Sequence, residues 1–327
     1  MAQGRYDIQT DLRRFGPESD WPGCSLAEAT AYCRGVALGH YENFPVVSLL
    51  LPRAMRDDFY AIYAWCRWAD DLGDELGDRA RSQELLAWWR EATRASRGGG
   101  ARHPVLVALA QTVARHQIPQ EPFDDLVSAF EQDQVVQDQV VQDYATMAQL
   151  LDYCRRSANP VGRLVLYLCG RATEQNFRWS DSICTGLQLA NFWQDVARDQ
   201  ALGRVYLPAE DCARFGYTRQ QWGAREENPA FLELMKYEVE GARRLLSPWS
   251  PGREPELRQF PWRVQVDLEM FARGGERILE RIAGIGYRVW SRRPVVTGLD
   301  AVGLLGRCVG HAAVRAWRGS RDAARGD

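Results

Sequence analysis

The chain has 327 residues, of which 46% are hydrophobic and 26% are charged, and its net charge is −2. These values are typical of an ordinary globular protein, and the near-neutral charge argues against nucleic-acid binding. Eight cysteines occur without a Cys-x-x-Cys pair or a histidine cluster, which argues against a zinc site and favours free thiols in a reducing, cytoplasmic setting.

The organisation predicted from the sequence is a single all-α domain over residues 25–318. Residues 1–24 lack the apolar run of a secretory signal and are expected to form an irregular leader, and residues 319–327 are expected to be a frayed tail. No uncharged apolar stretch reaches the length of about 18 residues that indicates a spanning helix. Strand-like alternation is scarce, and the breaks between helical patterns are too short to be interdomain linkers.

The first informative element is a helix predicted from Pro52 to Glu75, where apolar residues recur with a 3.6-residue period. Near its end stand Asp70 and Asp74, within the sequence ADDLGDE. On a helix, side chains four residues apart lie on one face, with about 5–6 Å between their Cβ atoms. Like charges at this spacing weaken a helix, so a structural role alone does not account for the pair.

A local repeat follows, since residues 133–137 and 138–142 both read DQVVQ. Five extra residues rotate the remainder of a helix by about 140°, because each residue turns it by about 100°. Thr146 and Gln149 form a capping-box pattern just beyond the repeat, so a loop there can absorb the change. We interpret the duplication as tolerated length variation.

A second long helix is predicted from Asp181 to Gln200, with Ser180 as its N-cap. Along it, polar side chains follow one another at steps of three, four and four residues and therefore share one face. These residues are Gln188, Asn191, Asp195 and Asp199.

Two helices that each carry an aspartate pair are suited to binding divalent cations together with a phosphorylated ligand. Mg²⁺ binds a few carboxylate oxygens, keeps several waters and completes its octahedron with phosphate oxygens. As a Lewis acid it stabilises the charge that develops on a departing diphosphate. One Asp-x-x-x-Asp is a weak signal, whereas two of them in aromatic-rich surroundings are a stronger one.

The segments YAIYAWCRWADDLGDE and LQLANFWQDVARDQALGRVYLP resemble the two signature segments of the squalene/phytoene synthases, and YCRRSANPVG between them resembles a third block. The resemblance runs from about residue 40 to at least residue 215. It implies an all-α isoprenoid-synthase bundle with a central active-site cavity. Within the family, three segments are most similar in sequence to the bacterial branch that forms hydroxysqualene. These segments are ENFPVVSLLLP, SANPVGRLVL and QLANFWQDV.

The resemblance also implies roles for individual residues. Two or three Mg²⁺ ions would be held by Asp70, Asp74, Asn191, Asp195 and Asp199. Substrate contacts are expected from Arg67, His40, Asn43, Gln188, Gln194, Arg204, Val161 and Gly162, the last two lying at a helix kink. Catalytic positions are expected at Tyr63, Tyr153 and Tyr206, which match family tyrosines, and also at Ser157 and Asn159, where the chain departs from the family pattern.

Several of these residues have a purely structural alternative. Arg67 could pair only with Asp71 on the helix surface, and Asp71 and Glu75 are expected to be solvated or to support the ligands. Tyr63 and Tyr206 could be core aromatic residues. A lone histidine such as His40 is more often structural than functional.

Three departures from the condensing members of the family bear on the reaction. Gln194 stands where those enzymes usually have arginine, Ser157 and Asn159 bring polar groups to an apolar block, and Asn43 replaces a serine. Losing the arginine lowers the positive charge where two diphosphates would otherwise sit. We therefore interpret these changes as a chamber for one diphosphate with a water that captures the cation. The predicted reaction is Mg²⁺-dependent ionisation of presqualene diphosphate to hydroxysqualene and diphosphate, without NADPH.

Other functions remain open at this point. Within the family, the alternative is a transferase that condenses two prenyl diphosphates head-to-head. From another class, the chain could be a non-catalytic helical module that binds a basic partner, although such a module does not need Asn191 and Gln188 on the Asp195 face.

The expected pathway partners are a presqualene diphosphate synthase and a flavin-dependent reductase. From residue 271 onward, eleven arginines oppose five acidic residues. Peripheral contact with the inner face of the membrane and simple solvation of these arginines are both compatible with that excess.

Overall fold

The structure is a computed structural model that describes residues 6–39, 52–136, 143–247 and 257–323. Over these ranges it contains α-helices, two short 3-10 helices and no β-strand, which confirms the all-α prediction. The α-helices are α1 (Ile8–Phe15), α2 (Leu26–Gly39), α3 (Arg56–Asp74), α4 (Arg79–Ser96), α5 (Pro104–His116), α6 (Glu121–Val136), α7 (Met147–Ser157), α8 (Asn159–Leu168), α9 (Glu174–Ala201), α10 (Ala209–Phe215), α11 (Arg219–Gly223), α12 (Pro229–Leu246), α13 (Trp262–Gly284) and α14 (Gly298–Ala323).

The chain divides into two compact units, one comprising Met1–Asp138 and Pro160–Asn176 and the other comprising Gln139–Asn159 and Phe177–Asp327. The acidic pair of α3 belongs to the first unit, and the acidic pair of α9 belongs to the second. The assignment of residues 25–318 to one domain stays a prediction.

The first unit is built around α3, which packs against α2, α4, α5 and α6. Its core contains three fully buried indoles, with Trp89 stacked on Trp65 and Trp68 at centroid distances of 6.4 and 5.4 Å. The indole nitrogen of Trp65 donates to the hydroxyl of Thr93 at 2.8 Å, so this polar atom is satisfied inside the core. Because Trp65 and Trp68 lie on the inner face of α3, its aspartate pair is left on another face.

In the second unit, α13 packs against both α12 and α14. Glycines allow α13 and α9 to lie close to their neighbours. A Cβ atom at Gly275 of α13 would lie 2.7 Å from Leu187 of α9 and 2.9 Å from Leu246 of α12. A Cβ atom at Gly186 of α9 would also lie 2.9 Å from Leu246. These close approaches fix α9, the helix that carries the second acidic pair.

The structure corrects three predicted boundaries. Residues 8–15 form α1 rather than an irregular segment, since Asp7 accepts a hydrogen bond from the backbone N–H of Thr10 and Phe15 is buried. Helix α9 begins at Glu174, not after Ser180, because the Thr173 hydroxyl accepts from the backbone N–H of Asn176 at 3.3 Å. Helix α14 continues to Ala323, past the predicted tail boundary at residue 319.

The region of the repeat is partly described. Helix α6 runs to Val136, so residues 137–142 of the repeat lie outside the described residues. Thr146 caps α7 as predicted, accepting from the backbone N–H of Gln149 at 3.3 Å. The Gln149 side chain accepts from the backbone N–H of Ala145 rather than from that of Thr146, so the capping box is incomplete.

Candidate active site

The first acidic pair lies in the last two turns of α3. The side chain of Asp70 is 46% exposed, and Asp74 is exposed. Desolvation and the neighbouring charge of Asp74 raise the pKa of Asp70 to about 6, while the guanidinium of Arg67 acts in the opposite direction. The pair therefore carries more negative charge than its surroundings neutralise, which is the electrostatic condition for binding a cation.

Arg67 is held by a buried carboxylate. Its Nε and Nη2 atoms lie 2.9 and 2.5 Å from the two carboxylate oxygens of Asp71, and its Nη1 lies 3.6 Å from Asp70. Asp71 also accepts a 2.7 Å hydrogen bond from the hydroxyl of Tyr6, and only 3% of its side chain is exposed. Arg67 therefore does pair with Asp71, as the structural alternative predicted. The pair does not lie on the helix surface, however, and Asp71 is not solvated. Asp71 instead orients Arg67 toward Asp70.

Tyr63 lies one helical turn before Arg67 and is half-buried. Burial raises the pKa of its phenol, with Arg67 opposing the shift and Asp70 adding to it. The phenol therefore stays protonated and can donate a hydrogen bond beside the acidic pair.

The second acidic pair lies near the C-terminus of α9. Asn191 is exposed, and 12% of the Asp195 side chain is exposed. Desolvation and the charge of Asp195 raise the pKa of Asp199 to about 7, opposed by nearby arginines that include Arg204 and Arg293. The half-buried Gln188 precedes Asn191 by three residues, so the predicted polar face of α9 is present.

An arginine that the sequence reasoning missed covers Asp195. Arg293 lies in the segment between α13 and α14, and its Nε and Nη2 atoms lie 2.5 and 3.2 Å from the two carboxylate oxygens of Asp195. The buried Gln194 amide donates to the carbonyl oxygen of Pro294 at 2.6 Å. Gln194 thus anchors this segment and does not face open space. Arg293 places a positive charge beside Asp195, where glutamine in place of arginine at position 194 was expected to lower the positive charge.

A buried aromatic cluster stands beside this motif. Phe192 and Tyr206 stack with their ring centroids 3.7 Å apart, and Tyr153 lies 6.3 and 6.2 Å from them. Tyr144 completes the cluster, 6.0 Å from Tyr206. The structure therefore brings the predicted Tyr153 and Tyr206 together. Tyr144 and Phe192 were missed, although Phe192 directly follows Asn191 in the chain.

The break between α7 and α8 falls at Ala158, three residues before the predicted kink at Val161 and Gly162. On one side of the break, the Oγ atom of Ser157 is buried and has no hydrogen-bond partner among the described residues. On the other side, the buried Asn159 accepts a 2.9 Å hydrogen bond from the hydroxyl of Thr185 on α9. Val161 is exposed, and Gly162 is half-buried in the first turn of α8. His40 and Asn43 lie outside the described residues.

The donor set fits hard divalent cations. In the described part of the chain, no three His, Cys, Asp or Glu side chains come together as a preformed metal cluster. Mg²⁺ needs only one or two carboxylates, because it retains waters and takes phosphate oxygens from its substrate. Each acidic motif supplies two such carboxylates, and in each motif desolvation, followed by repulsion from the second carboxylate, raises the pKa of one of them.

An all-α fold in which two helices each carry an Asp-x-x-x-Asp pair fits the class of isoprenoid synthases. The profile of the squalene/phytoene synthase family matches residues 37–300, and the chain belongs to this family.

Individual relatives cover most of the chain. A 15-cis-phytoene synthase of Synechocystis is 29% identical over 90% of this chain and 88% of its own length. A hydroxysqualene synthase of Rhodopseudomonas palustris is 34% identical over 60% of this chain and 64% of its own length. The crystal structure of squalene synthase HpnC from Alicyclobacillus acidocaldarius is similar with a TM-score of 0.72 and 39% identity, covering 80% of this chain and 95% of that one.

Proposed function

We propose that this protein ionises presqualene diphosphate in the presence of Mg²⁺ and directs water to the resulting cation, giving hydroxysqualene and diphosphate. The carbon–oxygen bond to diphosphate breaks, and the resulting cyclopropylcarbinyl cation rearranges with cleavage of a carbon–carbon bond of its three-membered ring. A new carbon–oxygen bond to water then forms, and the water's proton leaves with the diphosphate. Neither an oxidant nor a reductant is consumed, so NADPH has no role. The observation that carries the proposal is the buried Ser157 hydroxyl, which has no hydrogen-bond partner among the described residues.

The charged residues account for the first step. The five proposed metal ligands are Asp70, Asp74, Asn191, Asp195 and Asp199. Mg²⁺, when bound, stabilises the charge on the departing diphosphate. Arg67, oriented by Asp71, offers a fixed cation for the same charge, and the protonated phenol of Tyr63 offers a hydrogen-bond donor. In the second motif, Arg204 and Arg293 offer further fixed positive charges for the departing diphosphate.

The polar residues near the helix break account for the second step. Ser157 follows Tyr153 by one helical turn on α7, so its Cβ atom lies about 5–6 Å from that of a residue in the aromatic cluster. A buried hydroxyl without a partner is costly, which is consistent with a site that holds a water molecule in the working enzyme. Asn159, fixed by Thr185, adds a polar side chain at the same break. The aromatic cluster provides π faces that stabilise cations.

Ser157→Ala tests this role directly. We expect the alcohol to fall about fivefold relative to hydrocarbon products, since one hydrogen bond to water contributes about 1 kcal/mol. Ser182→Ala is the matched control, because Ser182 lies on α9 and donates to the carbonyl oxygen of Leu245 at 2.7 Å. The product ratio of the control should equal that of the wild type. An unchanged ratio in Ser157→Ala would contradict the assignment.

A condensing transferase is the second candidate, and one observation favours it. Arg293 places a positive charge beside Asp195. The glutamine at position 194, where condensing enzymes usually have arginine, had indicated that this positive charge was lost. The phytoene synthase relative, which matches most of the chain, is consistent with the same reaction class. Farnesyl diphosphate given as the sole substrate distinguishes the two candidates. Release of diphosphate with a coupled product would favour the transferase.

The proposed reaction also defines its neighbours in a pathway. A synthase that joins two farnesyl groups must supply presqualene diphosphate, and a reductase that replaces the hydroxyl group with hydride must consume the product. We expect a flavin-dependent enzyme for that reduction and a cytoplasmic setting for all three. No helix in the described ranges is long and apolar enough to cross a membrane.

A further inference from the structure

Helix α14 is attached to α13 by contacts around two largely buried carboxylates. Glu269 of α13 is fully buried and contacts His311 and Arg315 of α14 at 2.5 and 2.9 Å. At the start of α14, Asp300 accepts hydrogen bonds from Arg277 and Arg281 of α13, at 2.8 and 2.7 Å respectively. The polar face of α14 is therefore directed inward, and its rotation about its own axis is fixed.

The outer face of the same helix is apolar. Between residues 298 and 317, the exposed positions are hydrophobic residues, glycine or alanine, apart from Arg307. Leu299 is 87% exposed, Val302 69%, Val309 41% and Val314 47%. With about 100° per residue, these four side chains fall within an arc of about 140°. A surface helix of a globular protein normally shows the opposite arrangement, with its polar face outward.

Within residues 288–317, the exposed charges have one sign. Asp300 is the only acidic residue in residues 288–317, and its side chain is 10% exposed and paired with two arginines. Arg292, Arg293 and Arg307 are exposed in the same range. On the adjacent surface of α13, Glu280 is paired with Arg277 at 2.8 Å. An apolar strip bordered by arginines is complementary to a surface that is apolar within and anionic at its rim.

We propose that the outer face of α14 docks on the surface of an anionic phospholipid bilayer. The helix would lie in the plane of the interface, with Leu299, Val302 and Val309 among the acyl chains and Arg307 near the phosphates. A second copy of the chain fits this face less well. A two-fold contact would bring Arg307 close to the Arg307 of the other copy, with no acidic residue in the face to balance them. The proposal does not depend on which reaction the enzyme performs.

Vesicle flotation with the full-length protein tests the proposal. Wild-type protein should float with vesicles of phosphatidylcholine mixed with phosphatidylglycerol and remain unbound with pure phosphatidylcholine. Val302→Glu should lower the partition coefficient at least about tenfold, because it places a charge in the apolar strip. Arg307→Gln should lower it about fivefold, the effect of one basic residue near an anionic surface. Both residues are exposed, so their variants should keep the thermal unfolding midpoint of the wild type.

Leu26→Glu is the matched control, because Leu26 of α2 is an exposed leucine, 45% exposed, in the other unit. It should bind vesicles as the wild type does. The proposal is overturned if the wild type ignores anionic vesicles or if Val302→Glu binds as well as Leu26→Glu. It is also overturned if sedimentation shows a wild-type dimer that Val302→Glu converts into a monomer, since a second copy would then cover the face.

Discussion

Removing Arg293 should strengthen Mg²⁺ binding at the second acidic motif. In the structure, Arg293 occupies both carboxylate oxygens of Asp195, at 2.5 and 3.2 Å. A cation that binds Asp195 must share or displace this guanidinium. Arg293→Gln abolishes the ion pair and also removes a positive charge that repels Mg²⁺. Both consequences act in the same direction.

The size of the effect follows from the exposure of the pair. Hydrogen bonds to charged groups contribute about 1.5–3 kcal/mol when buried, and exposed ion pairs contribute about 0–1 kcal/mol. The side chain of Asp195 is 12% exposed and that of Arg293 is 40% exposed, which places the pair between these limits. A value of about 1 kcal/mol corresponds to about a fivefold tighter dissociation constant.

Isothermal titration with Mg²⁺ in the absence of substrate measures this change without any contribution from turnover. The titration should be run at least one pH unit above the pKa of about 7 of Asp199, where protons compete weakly for the ligands. Arg292→Gln is the matched control, since this neighbouring arginine is also exposed. Unchanged or weaker Mg²⁺ binding in Arg293→Gln, relative to Arg292→Gln, would refute the reasoning.

Three further predictions concern stability, measured as the free energy of unfolding in urea. Burial raises the pKa of Asp267 to about 8. The folded state then holds a proton that the unfolded state releases above about 4, so stability falls as the pH rises between these values. Asp267→Asn should remove this slope and add on the order of 4 kcal/mol near neutrality, since about three pH units above the unfolded pKa cost about 1.4 kcal/mol each; an unchanged slope would contradict this. Tyr6→Phe should cost about 1–3 kcal/mol by removing the hydrogen bond that the tyrosine hydroxyl donates to the buried Asp71, which keeps its bonds from Arg67, and a negligible loss would argue against the Tyr6 bond. Gly275→Ala should be less stable than Gly274→Ala by about 1–3 kcal/mol, because only the first Cβ meets neighbouring side chains, and equal stabilities would contradict the close packing of α13.

The acidic helices could be predicted because their signals are local. In α3, the hydrophobic period and the Asp70–Asp74 spacing lie within a few turns of one another, and the helix ends at Asp74. In α9, the face shared by Asn191 and Asp195 depends only on helical geometry. Such features need no knowledge of the rest of the chain.

Helix starts and helix α1 were predicted less well because tertiary packing decides them. An eight-residue helix is unstable in isolation, and α1 is held by burial of Ile8 and Phe15. Ser180 is a good N-cap by type, but α9 extends past it to the cap at Thr173. Local propensity is a weak guide when a longer helix buries more surface.

The charge beside Asp195 could not be predicted from the second motif alone. Its partner Arg293 lies 98 residues further along the chain and belongs to a segment whose sequence, SRRP, is merely basic. The loss of positive charge inferred from Gln194 stays a prediction, but the structure adds a positive charge beside Asp195 that the motif itself does not contain. Gln194 itself contributes by anchoring Pro294, which places Arg293. Such compensation between distant segments becomes visible only in three dimensions.

The most direct test of the proposed reaction is to incubate the purified protein with presqualene diphosphate and Mg²⁺ in water enriched in heavy oxygen. The proposal predicts hydroxysqualene as the main product, with one heavy oxygen atom from the solvent and no requirement for NADPH. Squalene, a product without solvent oxygen, or no turnover of presqualene diphosphate by folded protein would contradict it.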